Sequence, residues 1–388
     1  MKAKAEYSLV DITKYFLKLG TWGFGGPIAL VGYMHRDLVE DKGWLTEDEY
    51  KEGLALAQLA PGPLAAQLGI YIGFVHYGLT GATLAGLAFV LPSFIMVVLL
   101  GMAYQLYGGL AWMQAVFYGV GAAVIGIIGM SAYKLTIKSI SKFELTAMRS
   151  KWLLWLFYII GVTITVITQK EEILLFLACG ILYMLIKAPP QWIKKPATLP
   201  VGILISTGFW KYDGKNLHEI AWFFLKAGTF VFGSGLAIVP FLHGGVVKEF
   251  GWLTENQFVD AVAVAMITPG PVVITVGFIG YLVAGFPGAC IAALATFLPC
   301  YLFTVALAPS FKKIAKNAAI KAFVEGITAS VIGALVGSVI IIGLRSITDI
   351  PTMLIALAAV VALIAMKKLQ EPYIIGAAAI IGLLIKAL

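Results

Sequence analysis

The sequence predicts an all-α polytopic membrane protein of two homologous repeats, with broken half-helices meeting near the bilayer midplane. Three observations carry that prediction. Of 388 residues, 60% are hydrophobic and only 12% charged, with a mean hydropathy of +0.93. Long apolar runs recur along the chain with lysines at their ends, as transmembrane helices require. A set of motifs also occurs twice in one register.

A soluble domain carries about 25% charged residues, twice the density found here. The lipid bilayer is therefore the first expected partner, and the plasma membrane the expected location. Cys179, Cys290 and Cys300 sit inside apolar runs, which suggests neither a disulfide framework nor a metal cluster. No cofactor is expected. The net charge of +8 comes largely from lysines flanking apolar segments, so it marks cytoplasmic loops and not nucleic-acid binding. Met1 to Gly20 lacks a compact apolar stretch with a small-residue cleavage site and is expected to belong to the mature protein. The oligomeric state is left open, with a homodimer as one option.

Internal repetition organises the rest. Phe16-Leu17-Lys18-Leu19-Gly20-Thr21 recurs as Phe224-Leu225-Lys226-Ala227-Gly228-Thr229, an offset of 208. That offset also aligns His35 with His243, Gly43-Trp44-Leu45-Thr46-Glu47 with Gly251-Trp252-Leu253-Thr254-Glu255, and Pro61-Gly62-Pro63 with Pro269-Gly270-Pro271. One residue is then lost, so that Leu91-Pro92 matches Leu298-Pro299. The expected units are 1–190, a linker at 191–216 within the Pro- and Lys-containing stretch from Lys187 to Asn216, and 217–388. The linker's apolar piece, Leu199 to Trp210, is too short for an ordinary span and is expected at the interface. Continuous helices are expected near 80–107, 111–139, 152–168 and 172–187, and again near 285–309, 318–345, 350–366 and 372–388. About ten to twelve helices result.

Basic residues suggest an inverted topology. In the first half they follow the helix at 111–139 (Lys134, Lys138, Lys142, Arg149, Lys151); in the second they precede its counterpart (Lys312, Lys313, Lys316, Lys321). If basic loops face the cytoplasm, equivalent helices run in opposite directions. One conflict stands: strict inversion puts Lys2, Lys4 and Lys14 outside.

Thr46 with Glu49, and Thr254 with Gln257, fit capping boxes, so a helix should start at each and stop at the Pro-Gly-Pro. Pro63 and Pro271 are then expected as the first residues of new half-helices. Gly25-Gly26-Pro27 and Gly233-Ser234-Gly235 mark a second break in each unit. Broken helices in a bilayer leave N–H groups that protein, water or ligand must satisfy, and half-helix N-termini bind anions. Simple kinking of packed helices is the plainer reading. Two kinds of break, each duplicated in register, favour an anion site.

Lys18 and Lys226 lie six residues before each Gly-rich break and read either as anion counter-charges or as lysines snorkelling to headgroups. His35 and His243 could bind anion or relay protons, and Glu52 and Asp260 could carry a coupling proton. For these four the plainer readings are a satisfied interfacial histidine and a solvated first-turn acid. Glu325 has no acidic counterpart and is weaker still. Gln58, Thr268 and Ser234 flank the breaks and offer neutral hydrogen bonds to an oxyanion. Pro92 and Pro299 are expected only to kink their helices.

The Phe-Leu-Lys-Leu-Gly…Phe-Gly-Gly-Pro segment, the Gly-Trp-Leu-Thr turn and the Leu-Ala-Pro-Gly-Pro break closely resemble the chromate transporter (CHR) family. The second half repeats them as Phe-Gly-Ser-Gly, Gly-Trp-Leu-Thr and Ile-Thr-Pro-Gly-Pro, so the resemblance covers nearly the whole chain, in the family's long two-domain form. It implies proton-motive export of chromate from the cytoplasm and chromate resistance. The family's motif residues carry over onto Gly25, Gly26, Pro27, Pro61, Gly62 and Pro63, and onto Gly233, Pro269, Gly270 and Pro271. Ser234 and Gly235 depart from the pattern, standing where the first half has Gly26 and Pro27. Sulfate, equally tetrahedral, is the competing substrate, and an anion channel the competing device. An enzyme such as a chromate reductase would want clustered His, Cys or carboxylate ligands, which the sequence does not group.

Overall fold

The computed structural model describes residues 7–169, 172–189, 217–231, 235–311, 317–366 and 370–387. Every regular element among these residues is helical. The linker and its apolar piece at 199–210 lie outside them, as do Gly233, Ser234, Lys312, Lys313 and Lys316.

The chain opens with two inward-pointing hairpins. α1 (Leu9–Trp22) starts at Ser8, whose side chain forms a capping box with Asp11. It ends at Gly23, and Gly25 takes φ 103°, a left-handed conformation that glycine adopts without steric cost. α2 (Gly26–His35) then runs back along α1, so that the Tyr15 hydroxyl donates to Asp37 at 3.3 Å. A π-helical stretch, Arg36–Asp41, ends that return. α3 (Glu47–Leu59) starts at the Thr46–Glu49 capping box and stops at Ala60, which is extended. After Gly62 and Pro63, α4 (Leu64–Tyr107) returns against α3, with Gly53 facing the Tyr71 ring.

α4 is bent double at Gly78, which has φ 60° and ψ −145°. Its short first arm lies against its long second arm, where Gly73 packs on the Gly81 backbone and Gly86 on Ile70. The long arm crosses to the far face, and α5 (Ala111–Ser139) crosses back after a three-residue turn. α6 (Leu145–Ser150), α7 (Trp152–Thr168) and α8 (Ile173–Lys187) follow.

The second half has the same order. α9 (Leu217–Thr229) leads to a 3-10 turn at Gly235–Ala237, a short α10 (Ile238–Leu242) and a π-helical stretch at His243–Glu249. α11 (Glu255–Ile267) starts at the Thr254–Gln257 capping box. Beyond Pro271 comes a 3-10 turn, Val272–Ile274, and then α12 (Thr275–Leu307), bent at Gly285 with φ 62°. α13 (Ala318–Ser346), α14 (Ile350–Ala365) and α15 (Glu371–Ala387) complete the chain. Among the described residues, four helical stretches are long and apolar enough to cross a membrane: Leu64–Tyr107, Ala111–Ser139, Val272–Ser310 and Ala318–Ser346. Trp152–Thr168, Ile173–Lys187 and Ile350–Ala365 are shorter apolar helices.

The long arms of α4 and α12 cross antiparallel. Thr83 meets the Tyr301 hydroxyl at 2.8 Å at one end, while Gly101 packs on the Tyr281 ring at the other. The outer helices are exchanged between halves: α7 and α8 pack on α13, and α14 and α15 on α5. Small residues make these contacts close, with Gly161 on Ser330, Gly333 on Tyr158, Gly119 on Ala378 and Gly126 on Ala356. Lipid supplies no hydrophobic force between helices, so backbone approach and dispersion must hold them.

The continuous helices start and end within a few residues of the expected positions. Two details differ. Pro63 and Pro271 sit at the N-cap with extended ψ, one place before the helix or turn begins. The sharp bends fall at Gly78 and Gly285, and Pro92 and Pro299 stay inside their helices.

Of the N-terminal lysines, Lys14 lies on α1, and Lys2 and Lys4 lie outside the described residues. Each inward hairpin begins and ends on one face, so α1 to the short arm of α4 make no net crossing. Tyr7 hydrogen-bonds His76 at 2.6 Å and also accepts from Tyr77. Tyr7 thus lies beside the Gly78 bend.

Candidate anion site

The hairpin tips meet beside the second half of α5, where Ile127 and Ser131 line the same cavity. The N–H of Gly270 donates to the carbonyl of Gly23 at 2.9 Å, and the N–H of Gly62 to the carbonyl of Val231 at 2.6 Å. Each Pro-Gly-Pro tip therefore docks on the Gly-rich tip of the other half. Both glycines have positive φ, 143° at Gly62 and 94° at Gly270. A Cβ on Gly270 would strike the Ser93 hydroxyl, and one on Gly62 would lie 2.8 Å from the Gln67 amide nitrogen and 3.0 Å from Cys300.

A cavity of about 390 Å³ opens beside these tips. Gly23 to Pro27 line it from the first half, and Thr268, Gly270 and Val272 from the second. Leu64 and Leu236 bring the starts of α4 and of the Gly235–Ala237 turn to its wall. Ser131, Lys134 and Lys138, on the last turns of α5, line its outer part opposite Glu371 of α15.

Side-chain capping varies among the helix starts, and α5, α7 and α8 lack it away from the cavity. Ser8, Thr46 and Thr254 cap α1, α3 and α11 with side-chain oxygens. Gly25, Pro63 and Pro271, which precede the central starts, provide no side-chain cap. The first N–H groups of a helix have no intrahelical partner and carry a partial positive charge. The uncapped starts beside this cavity leave N–H groups of the kind that can hold an anion without a buried cation.

Of the residues singled out from sequence, Gly25, Gly26, Pro27, Thr268 and Gly270 line this cavity. Pro61, Gly62, Pro63, Pro269 and Pro271 shape the two tips beside it, and Gly235 is buried at the start of its turn. Gln58 is exposed on α3, away from the cavity. Lys18 lines an outer groove with Lys14, Arg36 and Asp37. Lys226 is half-buried with its ammonium 5.9 Å from the centre of the Trp222 ring, the posture of a snorkelling lysine.

His35 pairs with Glu47 at 2.8 Å and Glu40 at 3.0 Å. The His35 hydrogen bond, then that from Lys51, holds the Glu47 carboxyl below its usual range. His243, fully buried, reaches Glu255 at 2.7 Å, and Glu255 also takes Lys248 and Arg345. Both histidines thus tie a returning hairpin arm to the start of the next helix. Glu52 lies beside Tyr71. Asp260 is buried and accepts from the Tyr104 hydroxyl at 2.7 Å.

Sequence reasoning missed Lys134, Lys138 and Ser131 as cavity residues. The i, i+4 spacing of Lys134 and Lys138 at the end of an apolar helix is the available signal. It also missed Gln67, fully buried on the first turn of α4, whose amide nitrogen donates to Pro61 at 2.8 Å. Among the described residues, no group of three His, Cys, Asp or Glu side chains is placed to hold a metal ion.

Residues 10–184 and 218–383 match the protein family described as Chromate transporter. The chain belongs to the chromate transporter family. It is 62% identical over 381 residues to a chromate transport protein of Cupriavidus metallidurans, covering 97% of this chain and 93% of that protein. It is 28% identical over 389 residues to a chromate transport protein of Pseudomonas aeruginosa, covering 95% and 91%. No solved structure matches. A chromate transporter family protein is a multi-pass membrane transporter and not an enzyme, in keeping with the apolar helices described above.

Proposed function

We propose that this protein exports chromate from the cytoplasm across the cell membrane, coupled to the proton-motive force, and so confers chromate resistance. The observation that carries the reading is the convergence of uncapped helix starts on the cavity between Gly23–Pro27 and Thr268–Val272. A tetrahedral dianion is held there by N–H groups, with the Ser131 hydroxyl as a neutral donor. Lys134 and Lys138 draw it in from the cytoplasmic face, since basic loops stay on that side.

The two halves act as an inverted repeat. Supporting this, the family match falls in two segments, and the equivalent long arms of α4 and α12 cross antiparallel. The hydrogen bonds Gly62 to Val231 and Gly270 to Gly23 exchange places under the offset of 208. One repeat rocks against the other around the docked tips. Asp260, buried with Tyr104 as its hydrogen-bond donor, is the proposed proton carrier.

Purified protein in liposomes, given labelled chromate with and without a pH gradient, tests this. Saturable chromate flux that the gradient accelerates is expected, with sulfate as competitor. Flux absent under every gradient overturns the reading, and currents without saturation would mean a channel.

A further inference from the structure

A second, larger cavity of about 710 Å³ lies at the other end of α5. The helix contributes Ala111 to Ala122 there, whereas residues from Ile127 to Lys138 line the first cavity. α11 is shared in the same way: Asn256, Val259 and Asp260 line the second cavity, and Ala265, Met266 and Thr268 the first. Both helices run from the second cavity towards the first. The gap between them is therefore four residues on each helix, a rise of roughly 7.5 Å over five steps of 1.5 Å.

Those intervening residues, Ala123 to Gly126 and Ala261 to Val264, are all buried, and none is larger than Ile125. The second cavity is polar at its rim. Arg345 stands at the end of α13 and Lys386 at the end of α15, its ammonium 4.4 Å from the Tyr118 ring centre. Arg345 is bound to Glu255 and, at 2.7 Å, to Gln169, so it is held in place rather than free to swing. Asp349 accepts from Tyr118 at 2.7 Å beside them.

Resting on the proposed transport function, we infer that this cavity is the far mouth of the translocation path for a tetrahedral oxyanion. It is separated from the loaded site by the thin plug of Ala123–Gly126 on α5 and Ala261–Val264 on α11, just beyond the contact of Gly121 with Val259. Lys386 and Arg345 favour anion entry into the mouth. Asp260 sits on its floor, at the face of the plug. The plug is two short stretches of small side chains, so a modest shift of α11 relative to α5 joins the cavities. The tip that caps the first site, Thr268 to Pro271, is the continuation of α11, so the plug and the site move together.

Thiol labelling tests this in full-length protein whose Cys179, Cys290 and Cys300 have been replaced by serine or alanine. Ala122→Cys reports the floor, Ala115→Cys the wall, and Glu144→Cys the basic loop. A small membrane-impermeant maleimide is applied to right-side-out and inverted vesicles. Ala122→Cys and Ala115→Cys should react only from the face opposite Glu144→Cys, and labelling Ala122→Cys should cut chromate flux at least tenfold. Labelling of Ala115→Cys alone would make the cavity a shallow dent and overturn the inference. So would labelling of Ala122→Cys from the loop face, or labelling without loss of flux. Flux by the unsubstituted protein is measured in parallel: its absence would refute transport itself, while its presence beside a silent Ala122→Cys would refute only the mouth.

Discussion

The N–H of Gly270 donates to the carbonyl of Gly23 at 2.9 Å, joining the Pro-Gly-Pro tip of one half to the Gly-rich tip of the other. Gly270 holds φ 94°, and its α-carbon faces the Ser93 hydroxyl with no room for a methyl group. Both the backbone angle and the space therefore demand glycine. Gly270→Leu should abolish chromate flux in liposomes while membrane insertion persists, and Gly62→Leu should do the same. Wild-type flux in both variants would remove the tips from the transport site.

Lys134 and Lys138 act at long range on an incoming dianion, so their loss should weaken capture more than turnover. Each charge in a partly solvated mouth is worth about 1 kcal/mol, roughly fivefold in KM. Lys134→Gln and Lys138→Gln should raise the KM for chromate by that order and leave kcat near its original value. Added salt should narrow the difference. A fall in kcat with KM unchanged would place these lysines in the conformational step instead.

Asp260 has Tyr104 as a neutral donor at 2.7 Å. If it carries the coupled proton, Asp260→Asn should abolish acceleration by a pH gradient while chromate exchange at equal pH survives. Tyr104→Phe should weaken the response without removing it. A gradient response retained in Asp260→Asn would exclude this carboxyl as the carrier.

Asp349 caps α14 through Thr352 and accepts from Tyr118. The Tyr118 hydrogen bond, then those from Thr352, holds its carboxyl below the usual range. A depressed folded-state pKa contributes stability above the unfolded value, near about 4, that is lost as pH falls through the folded one. In detergent, Tm should drop over that acid window, and Asp349→Ala should flatten this part of the profile. An identical acid profile in the variant would show that other groups dominate.

Thr46 and Thr254 cap α3 and α11 with their side-chain oxygens, away from the cavity. Thr46→Ala and Thr254→Ala should each cost about 1 kcal/mol, read as a lower Tm in detergent with the chromate KM unaltered. A changed KM with constant Tm would mean that these caps shape the site directly.

Much of the architecture was legible from local chemistry. Capping boxes at Thr46 and Thr254 determine where helices begin, and Pro61-Gly62-Pro63 and Pro269-Gly270-Pro271 where they stop, because proline and positive-φ glycine act on their immediate neighbours. The bends at Gly78 and Gly285 were not legible. A lone glycine in an apolar run looks like any other until the arms on either side find each other. The roles of Lys18 and Lys226 were equally undecided by their neighbours. Only the fold sends Lys18 to an outer groove and Lys226 across Trp222.

The amino-acid sequence by itself determined the helices, the duplicated motifs, the breaks and the family, since each depends on spacing along the chain. The tertiary structure alone decided that Gly23–Pro27 shares a cavity with Thr268–Val272, and that Lys134, Lys138 and Glu371 stand at its opening. Gly23 and Glu371 lie 348 positions apart, and such meetings depend on helices of one half packing on those of the other. Periodicity records which face of a helix is apolar. It does not record which distant helix will cover that face.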